Sequence, residues 1–324
     1  MGWNQERCAP RTVRWRCQTA ILSPRHHAFI IPPTPPREGE GSISGRLRRV
    51  KVGLTRAVLS ALISISVSHG AVYAGSAVDP PVPPGRDPGG TPVAVIGRGI
   101  DYTLPHLANM LARDGEGEII GYDFADDDRW PFEAGDGTPV AEIVTGEGQA
   151  ATLIIVRTDM SDTAAAGRAI KYAAETPAKI VLLSEPVSSQ SQAELISAAA
   201  AHFTKQVFIV PVADAESGAQ VMKLPNLIGV AALSPDGKAD AGMLDADIAT
   251  PVEVLETPDQ GVATAEASRA AARIAALAAR LQAVEPGLPP GEIKQRILGL
   301  ATPLPGGKDG PRILENPRRY FWLE

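Results

Sequence analysis

Past residue 74 the chain contains no cysteine; its two, Cys8 and Cys17, both lie near the N-terminus. The larger part of the protein therefore has no disulfide, no thiolate nucleophile and no cysteine-based metal site. Histidine is nearly as scarce, with only His106 and His202 beyond that point. A histidine-built metal centre is excluded, and no metal or cofactor is expected. Basic charge is short as well, since residues 75–324 hold 20 Lys and Arg against 34 Asp and Glu. Such an acidic body offers phosphate no footprint, so nucleic acid is excluded as a partner. Its acidity reads as a solvated, soluble surface. A bilayer-crossing apolar run is also missing: Ala57–Val67 spans 11 residues, where a transmembrane helix needs roughly 20.

The N-terminal stretch has a different character. Residues 1–74 carry 11 basic and 3 acidic side chains, and Ile31–Gly41 reads IPPTPPREGEG. Residues 1–49 have no apolar period that would bury a core, so they are expected to be a disordered basic tail. Residues 50–74 then follow the order of a secretory signal peptide: a positive flank ending at Arg56, the apolar run, and small residues at Ala71–Ala74. A signal ought to open a chain. Either translation starts near Val50 and residues 1–49 are a misassigned start, or a cytosolic tail precedes an uncleaved anchor. Export to the periplasm or the medium of a bacterium is the expectation, with membrane contact only through this segment. Residues 75–90, rich in Pro and Gly, read as an extended linker.

From residue 91 to 324 a single domain is expected. Short apolar runs at Val93–Ile96, Ile119–Tyr122, Thr152–Val156, Ile180–Leu183, Val207–Val210 and Leu227–Val230 alternate with helical periods. The helices are expected at Pro105–Leu111, Val140–Val144, Ala164–Ala174, Gln192–His202, Thr264–Val284 and Pro290–Leu300. Continuously apolar strands separated by helices predict a doubly wound α/β fold, with a mainly parallel sheet covered by helices on both faces.

Three segments carry the functional argument: PVAVIGRGIDYTLPHL (92–107), GDGTPVAEIVTG (135–146) and ATAEASRAAARIAALAARL (263–281). In order and spacing they resemble the catalytic segments of the subtilases, the subtilisin-like serine proteases. Further segments match in the same order, among them GYDFADDD (121–128), KIVLLSEP (179–186), LPNLIGVAALSPDGK (224–238), DIATP (247–251) and EIKQRIL (292–298). The resemblance covers about Thr91 to Pro303, and it implies a subtilisin-like fold and serine endopeptidase chemistry. The residues that do that chemistry are missing. Where the family has Asp, His and Ser, this chain has Gly97, Pro139 and Ala265. Gly97 has no carboxylate to orient a histidine, Pro139 cannot accept and return a proton, and Ala265 is no nucleophile.

The supporting positions depart too. The resemblance puts the oxyanion donor, an asparagine in the family, at Asp214, or at Ala215 if the register slips by one. A carboxylate there repels the charge a donor should stabilise. The substrate-pairing strand corresponds to Ser184, Glu185 and Pro186, and Pro186 removes a backbone donor. Ser268, nearly a helical turn beyond Ala265, reads as an ordinary helix residue. Asp101 reads as a turn residue and His106 as a surface histidine. Asp126, Asp127 and Asp128 beside Asp123 suggest a cation site, but their spacing matches no defined calcium loop and a solvated acidic loop is expected.

Three functions remain. The first is an exported pseudoprotease that binds a protein or peptide. The second is the family's endopeptidase activity, and the third a different hydrolase using acidic residues at the strand ends. A filled groove near Pro139 and Ala265 would favour the first. An open pocket with converging polar groups would favour the third.

Overall fold

The computed structural model describes residues 79–135, 137–214, 223–233, 245–252, 262–303 and 311–322, the side chains of 262–264 and 320–322 excepted. The chain divides into two units between Ala71 and Val72. All that follows concerns the second. The expected tail (1–49), signal (50–74) and first linker residues lie outside the described residues, as does Ala215.

Among the described residues nine strands form one sheet. They are β1 (Thr91–Gly97), β2 (Gly121–Asp123), β3 (Ala151–Arg157), β4 (Ile180–Leu183), β5 (Val207–Val212), β6 (Leu227–Leu233), β7 (Ile248–Pro251), β8 (Thr302–Pro303) and β9 (Arg312–Ile313). Their order is β2-β3-β1-β4-β5-β6-β7-β9-β8. Every pairing is parallel except β8 with β9.

The apolar runs are continuous because the central strands bury both of their faces. In β1, Val93 and Val95 enter one core cluster while Ala94 and Ile96 enter the other. Residues 180–183 of β4 and 207–210 of β5 divide in the same alternating way, as the two-residue period of a strand requires.

On one face lie α1 (Pro105–Ala108), α2 (Gly137–Gly148), α5 (Val262–Val284) and α6 (Pro290–Leu300); on the other lie α3 (Thr163–Glu175) and α4 (Gln190–His202). Local chemistry sets several ends. The Asp162 carboxylate accepts the amides of Ala164 and Ala165 at 2.9 and 3.1 Å, capping α3. Ser189 caps α4, and Pro290 occupies the first turn of α6. The alanines of α5 let it pass close beneath the sheet, with Ala270, Ala271, Ala272, Ala275, Ala278 and Ala279 fully buried.

The expected strands and helices fall where the sequence puts them, with ends shifted by at most four residues. The shift is largest for α2, which extends four residues beyond Val144, and for α1, which stops after one turn. Strands β7, β8 and β9 were not expected. They have four, two and two residues, too short to carry a period. Residues 79–89 have no regular secondary structure but are pinned to the domain. The buried Tyr102 hydroxyl donates to the Pro80 carbonyl at 2.7 Å, and Arg113 donates to that of Pro83 at 2.7 Å.

Candidate functional site

Central strand β1 runs between β3 and β4, so its C-terminal end opens on the crevice where the strand order reverses. Open α/β sheets place ligands at such a crevice. Gly97 ends β1 there and is buried. A Cβ added to it would overlap the Ser184 hydroxyl oxygen and come within 3.2 Å of Ser184 Cβ and 3.7 Å of Glu185 Oε1. Ser184 is held in that place: it is buried, and its amide donates to the Ile96 carbonyl at 2.8 Å. The side chain that would begin a carboxylate at residue 97 thus meets an occupied position. Beside it, Arg98 Nε and Glu185 Oε1 pair at 3.3 Å across the ends of β1 and β4.

The second position opens α2. Gly137 lies against the Gly99 backbone so closely that a Cβ would overlap the Gly99 carbonyl oxygen. Thr138 Oγ1 accepts the Asp101 amide at 2.9 Å. The Asp101 carboxylate accepts both the amide and the hydroxyl of Thr103, at 2.9 and 2.5 Å, so its bonds belong to the turn. Pro139 follows in the first turn of α2, where a missing amide hydrogen costs little. Ala265 is half-buried near the start of α5, and Ser268 is turned into the core with 5 % exposure. Asp214 is exposed, two residues past the end of β5. Pro186 is half-buried just past β4.

A 250 Å³ pocket at the strand ends is lined by Arg98, Glu133, Arg157, Thr158, Asp159 and Glu185. Its charges are largely matched: Arg98 pairs with Glu185, and Arg157 with Glu133 at 3.4 Å. Hydrogen bonds from the Ser161 hydroxyl and amide hold the Asp159 carboxyl below its usual range.

Arg157 also explains the acidic loop. Asp79, Asp123 and Asp128 bring carboxylate oxygens within 4.8 Å of one another. Arg157 Nη1 meets Asp123 Oδ2 at 2.6 Å and also pairs with Asp126. The other Asp123 oxygen accepts the amides of Ala125 and Asp126 at 2.7 and 3.0 Å. Burial works against the Arg157 charge, but the bonds to Asp123 and Asp126 raise its pKa overall. Burial, then the charge of Asp128, pushes the Asp79 carboxyl up. The cation paired with Asp123 in this loop is the Arg157 guanidinium.

The cleft beside Pro139 is open and measures 650 Å³. Pro139, Glu142, Ile143 and Glu147 of α2 form one wall, and Arg269 and Arg273 of α5 the other. Val252 and Arg318 complete it. Glu147 is almost completely buried; it accepts from Arg273 Nε at 3.1 and 3.2 Å and from Arg318 Nε at 2.9 Å. Its backbone carbonyl takes the buried Arg280 guanidinium. Burial lowers the pKa of Arg280, with Glu147 acting in the opposite sense. Glu142 Oε1 lies 2.8 Å from His106 Nε2. Arg269 has no hydrogen-bond or ion-pair partner among the described residues.

Arg269, Arg273 and Arg318 took no part in the functional reading of the sequence. The one signal in the sequence was the spacing of Arg269 and Arg273, which puts them on one helical face.

No family profile and no curated protein matches the chain. Solved structures do. A cold-adapted subtilisin-like serine proteinase aligns with a TM-score of 0.54 and 15% identity, over 71% of this chain and 90% of that one. Proteases from Pseudoalteromonas arctica give 0.53 and 17%, over 71% and 89%. The A-subunit of the AB5 toxin from E. coli gives 0.51 and 17%, over 71% and 91%. With its parallel sheet and helices on both faces, this chain has the subtilisin-like fold.

Proposed function

We propose that this protein is an exported, non-proteolytic member of the subtilisin-like fold that acts by binding a protein or peptide. The observation that carries this reading is the strand end at Gly97, where the Ser184 hydroxyl takes the space a catalytic aspartate would need. Pro139 and Ala265 remove the base and the nucleophile from the other two positions. In an active enzyme of this type, loss of the whole triad costs about 10⁶ in turnover. Asp214 at the oxyanion position weakens the electrostatic remainder.

The open cleft beside Pro139 meets the shape expected for a different hydrolase, so that second reading has one observation in its favour. Its charges argue against it. Glu147 already accepts from two guanidiniums, so its oxygens are engaged within the protein. At the strand ends Glu185 and Glu133 are paired as well. An open cleft whose carboxylates are already hydrogen-bonded within the protein suits binding better than acid–base chemistry. Export rests on the signal-like order of residues 50–74. Among the described residues no helix is long and apolar enough to cross a membrane.

The test is to incubate the full chain with an unfolded protein substrate and, separately, with a fluorophosphonate probe. Neither digestion nor labelling is expected. Digestion with labelling would establish a serine nucleophile and refute the proposal. Digestion without labelling would refute it in favour of the carboxylate hydrolase.

A further inference from the structure

We infer that the cleft between α2 and α5 holds a short acidic peptide segment, gripped through its carboxylates by Arg269, Arg273 and Arg318. The inference rests on the binding-protein reading and names the ligand class of that site.

Charge balance is the first argument. Three guanidiniums and two carboxylates line the cleft. Both carboxylates are engaged already, Glu147 by Arg273 and Arg318 and Glu142 by His106. Arg269 has no partner among the described residues. Arg318 holds Glu147 through Nε and is 60% exposed, so its outer nitrogens remain available on the open side. Among the described residues the cleft therefore has one guanidinium in surplus, on a domain whose total charge is strongly negative.

Shape and chemistry narrow the ligand. The guanidinium fork matches a carboxylate in bidentate fashion. The 650 Å³ volume lies in the range of ligand sites and admits a few residues. Ile143, Val252 and Pro139 add apolar surface that a bare inorganic anion would leave uncovered. A long polyanion such as nucleic acid would be repelled by the net negative charge of the domain. A short peptide that alternates carboxylates with apolar side chains meets both kinds of wall. The cleft is also preorganised. Buried Glu147 fixes Arg273, whose Nη1 is tied in addition to the Pro251 carbonyl, so little rotamer freedom remains to be lost on binding.

The test is fluorescence anisotropy of the full chain with a fluorescein-labelled hexapeptide of alternating Glu and Leu. Saturable binding is expected, and substitution of Gln for Glu in the peptide should abolish it. Arg269→Ala should weaken binding by about ten- to a hundred-fold, the loss typical of a charge-assisted hydrogen bond. Arg318→Ala should weaken it as well. Lys171→Ala removes the same charge from exposed α3, on the opposite face of the sheet, and should leave affinity unchanged.

Equal binding of the Gln peptide, or full affinity in folded Arg269→Ala, would overturn the inference. Displacement by inorganic phosphate at the peptide's own concentration would overturn the peptide assignment in favour of a general anion pocket. Mass spectrometry of the recovered peptide separates the two proposals. An intact peptide that never bound refutes the cleft ligand alone. A cleaved peptide refutes the non-proteolytic reading, and the Arg269→Ala affinity still decides the cleft.

Discussion

Gly97→Ala is the smallest perturbation that probes the closed strand end. The added methyl overlaps the Ser184 hydroxyl oxygen. The serine backbone cannot retreat, because its amide is bonded to Ile96 at 2.8 Å and the preceding residue, Leu183, is in register with Ile96. Turning the hydroxyl into another rotamer relieves the overlap, but it leaves the two Cβ atoms 3.2 Å apart in a buried place. Overpacking of this kind costs about 1–3 kcal/mol. For a domain of this size, each kcal/mol lowers the melting temperature by about 2–4 °C, so a fall of about 2–12 °C is expected.

Ser184→Gly removes both clashing atoms at a cost of about 0.5–1 kcal/mol for a glycine in a strand setting. The double variant should lose only that glycine cost, a favourable coupling of about 1–3 kcal/mol. Calorimetry on the four proteins closes the cycle. A Gly97→Ala melting point within about 1 °C of the unmodified protein, with no coupling to residue 184, would refute the claim that Ser184 fills this space.

Two other outcomes follow from the ion pairs. Glu147→Ala leaves Arg273 and buried Arg280 without their counter-charge and should cost about 3–5 kcal/mol in urea unfolding, whereas Glu147→Gln, which keeps an acceptor, should cost less; a loss below about 1 kcal/mol for Ala would contradict the network. Asp159 should titrate by NMR below the ordinary 3.8, and Ser161→Ala should raise its midpoint. Because the folded pKa is the lower one, that contribution to stability is present above the unfolded value and fades as pH falls through the folded one; a midpoint at or above 3.8 would dismiss the hydrogen bonds as its cause.

The strands of the central sheet were legible because a parallel strand buried on both faces must be apolar at every position, as Val93–Ile96 and Ile180–Leu183 are. The departures from the subtilase pattern at Gly97, Pro139 and Ala265 were read from the sequence residue by residue. The replacement of a carboxylate's space by Ser184 was not, because residues 97 and 184 meet only through the pairing of β1 with β4. The arginine cleft was hidden for the same reason. Its walls come from residues 139–147, 252, 269–273 and 318, and the last lies beyond the stretch that resembles the protease family. Only the tertiary fold brings those four pieces together.

The alanine face of α5 has a consequence for how the cleft can respond to what enters it. Alanine has no rotamers to exchange, and backbones separated only by methyl groups leave a helix no room to slide. Gly148 of α2 also packs directly on Ala276, so the two helices are fitted to each other at close quarters. The wall bearing Arg269 and Arg273 is therefore an anvil: a ligand of the wrong length cannot push it aside. Adjustment is left to the opposite side, where Arg318 stands in solvent on the short 3-10 helix Pro317–Trp322. Selection by such a cleft would act on the spacing between carboxylates more strictly than on the side chains that separate them.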